Sequence, residues 1–198
     1  GSTRNCPHCR ATILESAVQS FARRGFYGTS MDDIAEDLSL TRGSLYYYFR
    51  DKEEILALCH LTALEAVNAS LDRVRRERLA PDAALRRLVV EHVRIMVDGF
   101  HGSALALEVD ALDTVRRAEV VALRDRYERG LRETIAEGVR AGVFRDLDVK
   151  LTAFAVFGSI NWVARWYREG GGAGPSEIAE AFARLFLEGL LRAGEERT

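Results

Sequence analysis

Only three cysteines, Cys6, Cys9 and Cys59, occur in 198 residues. Stability therefore need not lean on disulfides, and 47% apolar residues at this length suffice for a continuous core. No apolar run approaches the roughly 20 residues that a helical membrane span requires, and no basic n-region followed by an apolar h-region opens the chain. The sequence thus reads as soluble and cytoplasmic, with no membrane partner. No stretch alternates apolar and polar residues and no internal repeat occurs, so neither a sheet nor a solenoid is expected. Catalytic signatures are missing too. His60, His92 and His101 are dispersed, H-E-x-x-H is absent, and the glycine-rich run 170–174 does not follow a strand as a phosphate loop should, so it reads as a hinge. No enzyme is expected. Cys6-Pro7-His8-Cys9 has the spacing of a thiol redox centre or half a zinc site. A redox domain would need a sheet, however, and a zinc site would need distant Cys59 or His60; the alternative is a flexible arm that happens to carry two thiols. No metal ligand and no cofactor is assigned.

Helical periodicity runs almost throughout. A first helix is expected from about Ala11 to Arg24, with Ile13, Leu14, Ala17, Val18 and Phe21 inward and Gly25 as its stop. Ser30 then caps a short helix whose third residue, Asp33, is acidic and whose inward residues are Ile34, Ala35 and Leu38. After a break at Ser39-Leu40, Thr41 caps another short helix pinned by the pair Leu45 and Phe49. Its opposite face carries Arg42, Gly43, Ser44, Tyr46, Tyr47 and Tyr48. Three consecutive tyrosines span about 200° of helical arc, so at least one must be exposed.

These residue types suit a reader of DNA. Arginine forks onto guanine, hydroxyls serve base edges or phosphates, and glycine lets the backbone come close. Lys52, in the next helix, suits a phosphate contact. The net charge of −2 argues against a nucleic-acid partner, but residues 1–52 hold seven Lys/Arg against six Asp/Glu. The basic footprint is local, around Arg42, Arg50 and Lys52.

Residues 10–56, through Phe21-Ala22-Arg23-Arg24-Gly25-Phe26, Gly28-Thr29-Ser30 and Leu45-Tyr46-Tyr47-Tyr48-Phe49-Arg50-Asp51-Lys52-Glu53-Glu54-Ile55-Leu56, closely resemble the DNA-binding domain of the tetracycline-repressor (TetR) family. The resemblance implies that the helix beginning near Thr41 enters the major groove and that Thr29, Tyr47 and Lys52 hold phosphates. The candidate DNA-binding set is therefore Thr29, Ser30, Thr41, Arg42, Gly43, Ser44, Tyr46, Tyr47, Tyr48 and Lys52. Ser39 departs from the family's usual glycine in the turn.

The implied organisation is all-α with about nine helices. An N-terminal arm spans 1–10, beginning in a cloning remnant, Gly1-Ser2; the helix-turn-helix domain spans 11–56, and a ligand-binding and dimerisation domain spans 57–198. Asp51 with Glu54 caps a long linking helix with Ile55, Leu58, Leu61, Thr62, Ala66 and Ala69 inward. Helices at about 82–98, 103–112, 115–141 and 148–168 follow, and Ser176 is expected to cap the last, to about Arg192.

Of the last two helices one is apolar on nearly every side and the other over a wide face, so a second burying surface is needed. A second subunit could supply it, through Phe157, Gly158, Phe182, Leu185, Phe186 and Gly189, in a two-fold four-helix interface; an intramolecular core is the alternative. Asn161, Trp162, Arg165, Trp166 and Tyr167 cluster on one helix, as a ligand pocket requires, although tryptophans also serve as packing residues. Residues 85–192, including Glu108-Val109-Asp110-Ala111-Leu112, Leu123-Arg124-Asp125-Arg126-Tyr127, Glu137-Gly138-Val139-Arg140-Ala141-Gly142-Val143-Phe144 and Asn161-Trp162, look like the C-terminal domain of TetR-type repressors governing fatty-acid, aromatic-acid and steroid-ring breakdown. Those respond to acyl-coenzyme A (CoA) thioesters. On that resemblance an acyl chain would lie among Met96, Phe100, Leu105, Val109, Tyr127, Phe154 and Trp162, with Asn161 alongside. Adenine would stack on Trp166 and phosphates would meet Arg165 and Arg168; Arg124 and Arg126 are further candidates. The expectation is a homodimeric repressor released from a palindromic operator by a hydrophobic effector. A lipid- or acyl-CoA-binding module, or an esterase, that merely retains the helix-turn-helix is the alternative.

Overall fold

Side-chain caps decide where most of the helices start. The computed structural model describes residues 7–98, 100, 102, 104, 109–168 and 170–191. Leu105 of the candidate ligand set lies outside them, as does Cys6. The first helix, α1, is Pro7–Arg24, four residues longer at its start than the periodicity indicates. In α2 (Met31–Asp37) Ser30 Oγ accepts from Asp33 N at 3.1 Å and Asp33 Oδ2 accepts from Ser30 N at 2.7 Å, a reciprocal capping box. Thr41 caps α3 (Arg42–Tyr48), Asp51 caps α4 (Lys52–Glu77), Asp113 caps α6 (Thr114–Arg140) and Asp148 caps α7 (Val149–Trp166). Each such cap contributes about 1 kcal/mol. By contrast, α5 (Pro81–Val97) and α8 (Pro175–Leu190) open on proline, whose missing N–H costs nothing in a first turn. Ser176 therefore does not cap α8. Gly174 holds the cap position, and Ser176 lies inside the first turn. A 3-10 turn, Val109–Ala111, precedes α6.

Between α2 and α3 the chain reverses through Ser39, whose φ of +54° lies in the left-handed region. That conformation explains why glycine suits the position, and serine there costs about 1 to 2 kcal/mol. The turn holds its shape through Ser39 N donating to Glu36 O at 2.9 Å and Leu40 N to Ala35 O at 2.8 Å.

Two apolar cores share α4. The first gathers α1, α2, α3 and the start of α4, including Phe21, Ile34, Leu45, Phe49, Ile55 and Leu64, with Leu112 and Val120 closing it from the other domain. The second begins at Val67 and takes in α5, α6, α7 and α8. Being packed on two sides, α4 buries more than one stripe. Of the residues expected inward only Ile55 is buried; Leu58, Leu61, Thr62 and Ala66 are half-buried and Ala69 is exposed, while Cys59, Ala63, Val67, Ser70, Leu71 and Val74 lie inside. Helix α4 is also the one described helix long and apolar enough to cross a membrane, but 61% of its most apolar window is buried within the protein.

Helix α5 is the central strut of the second core, in contact with α4, α6, α7 and α8. Against this core α7 turns Ala153, Val156, Ile160 and Val163, and α8 turns Ile178, Ala179, Ala183 and Leu190. Their other faces are not covered. Leu151, Phe154, Trp162 and Trp166 on α7 and Leu185 on α8 remain exposed, Leu185 at 66%.

Candidate DNA-reading face and effector pocket

The cap of α3 is itself part of the candidate reading surface. Thr41 Oγ1 accepts from Ser44 N at 3.1 Å and lies 2.8 Å from Ser44 Oγ, so both hydroxyls are fixed at the exposed N-terminus of the helix. Leu45 and Phe49 anchor α3 inward, which leaves Arg42, Gly43, Tyr46 and Tyr47 exposed and Tyr48 half-buried, edge-on to Tyr47 at 5.3 Å between ring centroids. The Arg42 guanidinium lies 5.4 Å from the Tyr46 ring and 3.2 Å from Asp32. Asp32 thus holds the guanidinium of the arginine expected to read bases.

Two residues assigned to phosphates hold the scaffold as well. Thr29 is only 1% exposed, and its hydroxyl donates to Gly25 O at 2.8 Å, so its side chain faces the loop interior. Lys52 Nζ donates to Phe26 O and Thr29 O, both at 3.0 Å, and sits 4.5 Å from the Phe26 ring centroid. It ties the α1–α2 loop to α4. Ser30, committed to its capping box, borders with both of them a cleft of about 430 Å³, together with Arg42, Tyr46 and Tyr27. Tyr27 was not singled out from sequence, yet at 76% exposure it is the most exposed large apolar side chain of the described residues. The signal was its place between Phe26 and Gly28, where the chain turns at Gly25 with φ +74°.

The starts of α4 and α6 meet at an ion cluster. Arg116, in the first turn of α6, reaches Asp51 at 3.1 Å, Glu53 at 3.5 Å and Asp113 at 3.0 Å. Asp51 and Asp113 are the N-caps of α4 and α6, so one guanidinium joins the starts of both helices.

A second site lies inside the C-terminal helices. A cavity of about 20 Å³ is bordered by Leu64 and Val67 of α4, His92 of α5, Arg124 and Tyr127 of α6, and Phe157 and Asn161 of α7. His92 Nε2 and Asn161 Oδ1 are 3.1 Å apart, with the imidazole edge-on to Tyr127 at 4.9 Å between centroids. His92 Nδ1, both nitrogens of His60 and Asn68 Oδ1 are buried with no hydrogen-bond partner among the described residues. Burial holds both histidines neutral, each with its pKa pushed down to about 4, and the nearby Arg124 charge adds to the effect on His60. Burial likewise pushes the Tyr127 phenol up. Unsatisfied polar groups in an apolar bundle are costly, and of these only His92 borders the cavity.

The sequence-derived ligand residues do not converge there. Met96 and Tyr127 are core residues of the second cluster, whereas Phe100 and Val109 pack against the first. Of them Tyr127, Asn161 and the further candidate Arg124 border the cavity. Phe154, Trp162 and Trp166 sit on the exposed stripe of α7, Trp162 at 62%, and Arg165 and Arg168 are exposed, with Arg168 donating to the carbonyls of Arg165 and Tyr167. Conversely Phe157, assigned to a subunit interface, faces inward, 5.7 Å from His92 and 5.9 Å from Tyr127 between centroids. Gly158, Leu185 and Gly189 are exposed, while Phe182 and Phe186 are half-buried and edge-on to each other at 5.8 Å. His92 was passed over as a dispersed histidine. Its phase with Leu85, Leu88, Val89 and Met96 on α5 was the available signal.

Cys59, the one described cysteine side chain, is fully buried, and burial pushes its thiol up, so it is unreactive. Among the described residues no group of three or more His, Cys, Asp or Glu could hold a metal ion.

A capped helix-turn-helix with a polar exposed second helix, joined through one long helix to a bundle with a polar-lined cavity, defines a DNA-binding regulator rather than an enzyme. Residues 13–59 match the bacterial regulatory proteins of the tetR family, and residues 78–190 match the tetracyclin repressor-like C-terminal domain. The chain belongs to the tetR family of bacterial transcriptional regulators. It is 30% identical over 187 residues to the HTH-type transcriptional repressor KstR2 of Rhodococcus jostii, covering 91% of this chain and 90% of that one. Among solved structures, the TetR family regulator PfmR of Thermus thermophilus superposes with a TM-score of 0.82 at 36% identity, covering 91% of this chain and 99% of that one. AibR, solved in complex with isovaleryl coenzyme A and operator DNA, shares the fold with a TM-score of 0.79 at 24% identity, covering 89% and 96%.

Proposed function

We propose that the protein is a homodimeric repressor that holds a palindromic operator and releases it when a hydrophobic effector, an acyl-CoA thioester, enters the cavity between α4, α5, α6 and α7. The observation that carries this reading is the position of α4, whose first half is built into the reading domain and whose middle residues Leu64 and Val67 form one wall of the cavity. A cavity of about 20 Å³ has room for about one water. An acyl chain can enter only if the walls around Tyr127, Phe157 and α4 part, and a ligand that displaces α4 would shift the population toward another arrangement of the reading domain.

Dimerisation is supported by the exposed apolar stripe Leu151, Phe154, Trp162 and Trp166 of α7, with Leu185 exposed on α8. With two copies joined there, the reading helices would sit about 34 to 36 Å apart, one turn of DNA. The usual allosteric coupling of about 1 to 3 kcal/mol changes operator affinity roughly 5- to 150-fold. The thioester class is supported by the isovaleryl-CoA that the AibR complex contains. A second reading, a smaller hydrophobic effector without CoA, is favoured by the exposure of Arg165, Trp166 and Arg168 away from the cavity.

The test is a gel shift with the DNA upstream of the protein's own coding region, titrated with isovaleryl-CoA and with isovalerate. Release by the thioester at micromolar concentration and not by the acid supports the first reading. Equal potency supports the second, and no retarded complex at all rejects operator binding at that DNA.

A further inference from the structure

We infer that Arg124 is the anion-anchoring residue of the effector cavity, and that the effector is an apolar body carrying an acidic group beside its buried end. This rests on the reading of that cavity as the effector site. Arg124 projects from the middle of α6 and borders the cavity beside Leu64, Val67 and Tyr127. It is half-buried, and it has neither an ion-pair nor a hydrogen-bond partner among the described residues. Arg129 and Arg140 of the same helix also lack such a partner among the described residues but are exposed to water, whereas the other arginines of the helix are paired. Arg116 holds three carboxylates, Arg117 holds Asp110 at 2.7 Å, Arg126 holds Asp72 at 2.7 Å, and Arg132 holds Glu128 at 2.6 Å.

A partly desolvated guanidinium without a counter-ion is unfavourable in the closed state, and an acidic ligand removes that penalty on arrival. Its fork of donors matches a carboxylate or phosphate with two parallel hydrogen bonds. The remainder of the lining sorts the rest of the ligand. Leu64, Val67, Tyr127 and Phe157 offer apolar contact, and the His92–Asn161 pair offers polar contact deeper in the bundle. Because Arg124 faces α4 from across the cavity, an anion bound to it sits against the helix shared by both domains. Two sources of the acidic group fit the same chemistry, a free carboxylate and a phosphate of a CoA thioester.

The experiment measures binding of octanoate, octanoyl-CoA and neutral octanamide to the full-length protein by calorimetry, for wild type, Arg124→Gln and Arg124→Lys. Operator affinity without probe serves as the folding control. The inference expects Arg124→Gln to weaken the anionic probe roughly 10- to 150-fold, the worth of a charge-assisted hydrogen bond, leave octanamide unchanged, and be partly rescued by Arg124→Lys. Preference for octanoate or for octanoyl-CoA identifies which source supplies the anion. Wild-type binding of octanamide as tightly as both anionic probes, or an equal loss of charged and neutral probes in Arg124→Gln, overturns the anchor while leaving the cavity as the effector site. Failure of every probe to bind wild type overturns both.

Discussion

Substitution of Gly130 by alanine puts the coupling between the two domains under direct strain. Gly130 lies in the middle of α6 where it crosses α4, and a Cβ there would sit 2.4 Å and 2.7 Å from the two terminal methyls of Leu71. Leu71 is fully buried in the second core, so its side chain has no open side to turn to. Overpacking of this kind costs about 1 to 3 kcal/mol, while alanine's better helix propensity returns about 0.5 to 1 kcal/mol. The net expectation is a loss of up to about 2.5 kcal/mol in urea unfolding. The clash falls on α4, so relief by movement of that helix should also weaken the operator complex, as an effector does. Fluorescence anisotropy with labelled operator reads that second effect. Adding Leu71→Ala removes the obstructing methyls, so the double variant should be more stable than the sum of the single costs indicates, by about 1 to 2 kcal/mol. Additive costs together with unchanged operator affinity would refute the proposed transmission through the α4–α6 crossing.

Tyr47→Phe should weaken binding to all DNA sequences and flatten the salt dependence, whereas Arg42→Ala or Ser44→Ala should change which bases are tolerated; salt titrations of specific and random duplexes separate the two. Leu185→Asp, which puts a charge on the exposed apolar face, should yield monomers in sedimentation while leaving helix content intact; an intact dimer would reject that face as the interface. Arg116→Gln should leave α4 and α6 capped but loosen their ends from one another, so operator affinity should fall more than thermal stability does, and a change in stability alone would make the cluster a local brace. His60 and His92 are held neutral to about pH 4 in the folded protein against about 6.5 unfolded. The unfolded state therefore takes up the protons first, and stability present above pH 6.5 is lost as pH falls toward 4, by up to about 3 kcal/mol for each histidine. Urea unfolding at pH 7 and pH 5 should show that loss, and His92→Gln should reduce it; equal stability at both values contradicts the burial argument.

Local chemistry was legible in the sequence wherever it acts over a few residues. Ser30 with Asp33, Thr41, Asp51 with Glu54 and Asp148 all cap the helices expected of them, because a cap is decided by one side chain and the amides two or three positions on. The rotation of a helix in its surroundings was legible only where one stripe was apolar, as on α1. On α7 nearly every side is apolar, so sequence alone could not tell which phenylalanine faces the bundle. Phe157, expected at an interface, accordingly borders the cavity, and Phe154, Trp162 and Trp166, expected around a ligand, lie exposed. The same ambiguity displaced the inward stripe of α4, which has neighbours on two sides. Nor could the burial of Thr29 be foreseen, since its hydroxyl is satisfied by the carbonyl of Gly25 in a turn fixed by tertiary packing.

The most direct test of the central claim, that occupancy of the α4–α7 cavity repositions the reading helices, is the distance between spin labels on the two subunits. Glu36→Cys, exposed on α2, provides the label site in a protein with Cys6 and Cys9 changed to serine; Cys59 is buried and will not react. The account predicts one narrow distance distribution with operator bound and a distribution displaced by several ångströms, on the order of one helical rise or more, at saturating acyl-CoA. An identical distribution in both states, with the operator nonetheless released, would contradict it.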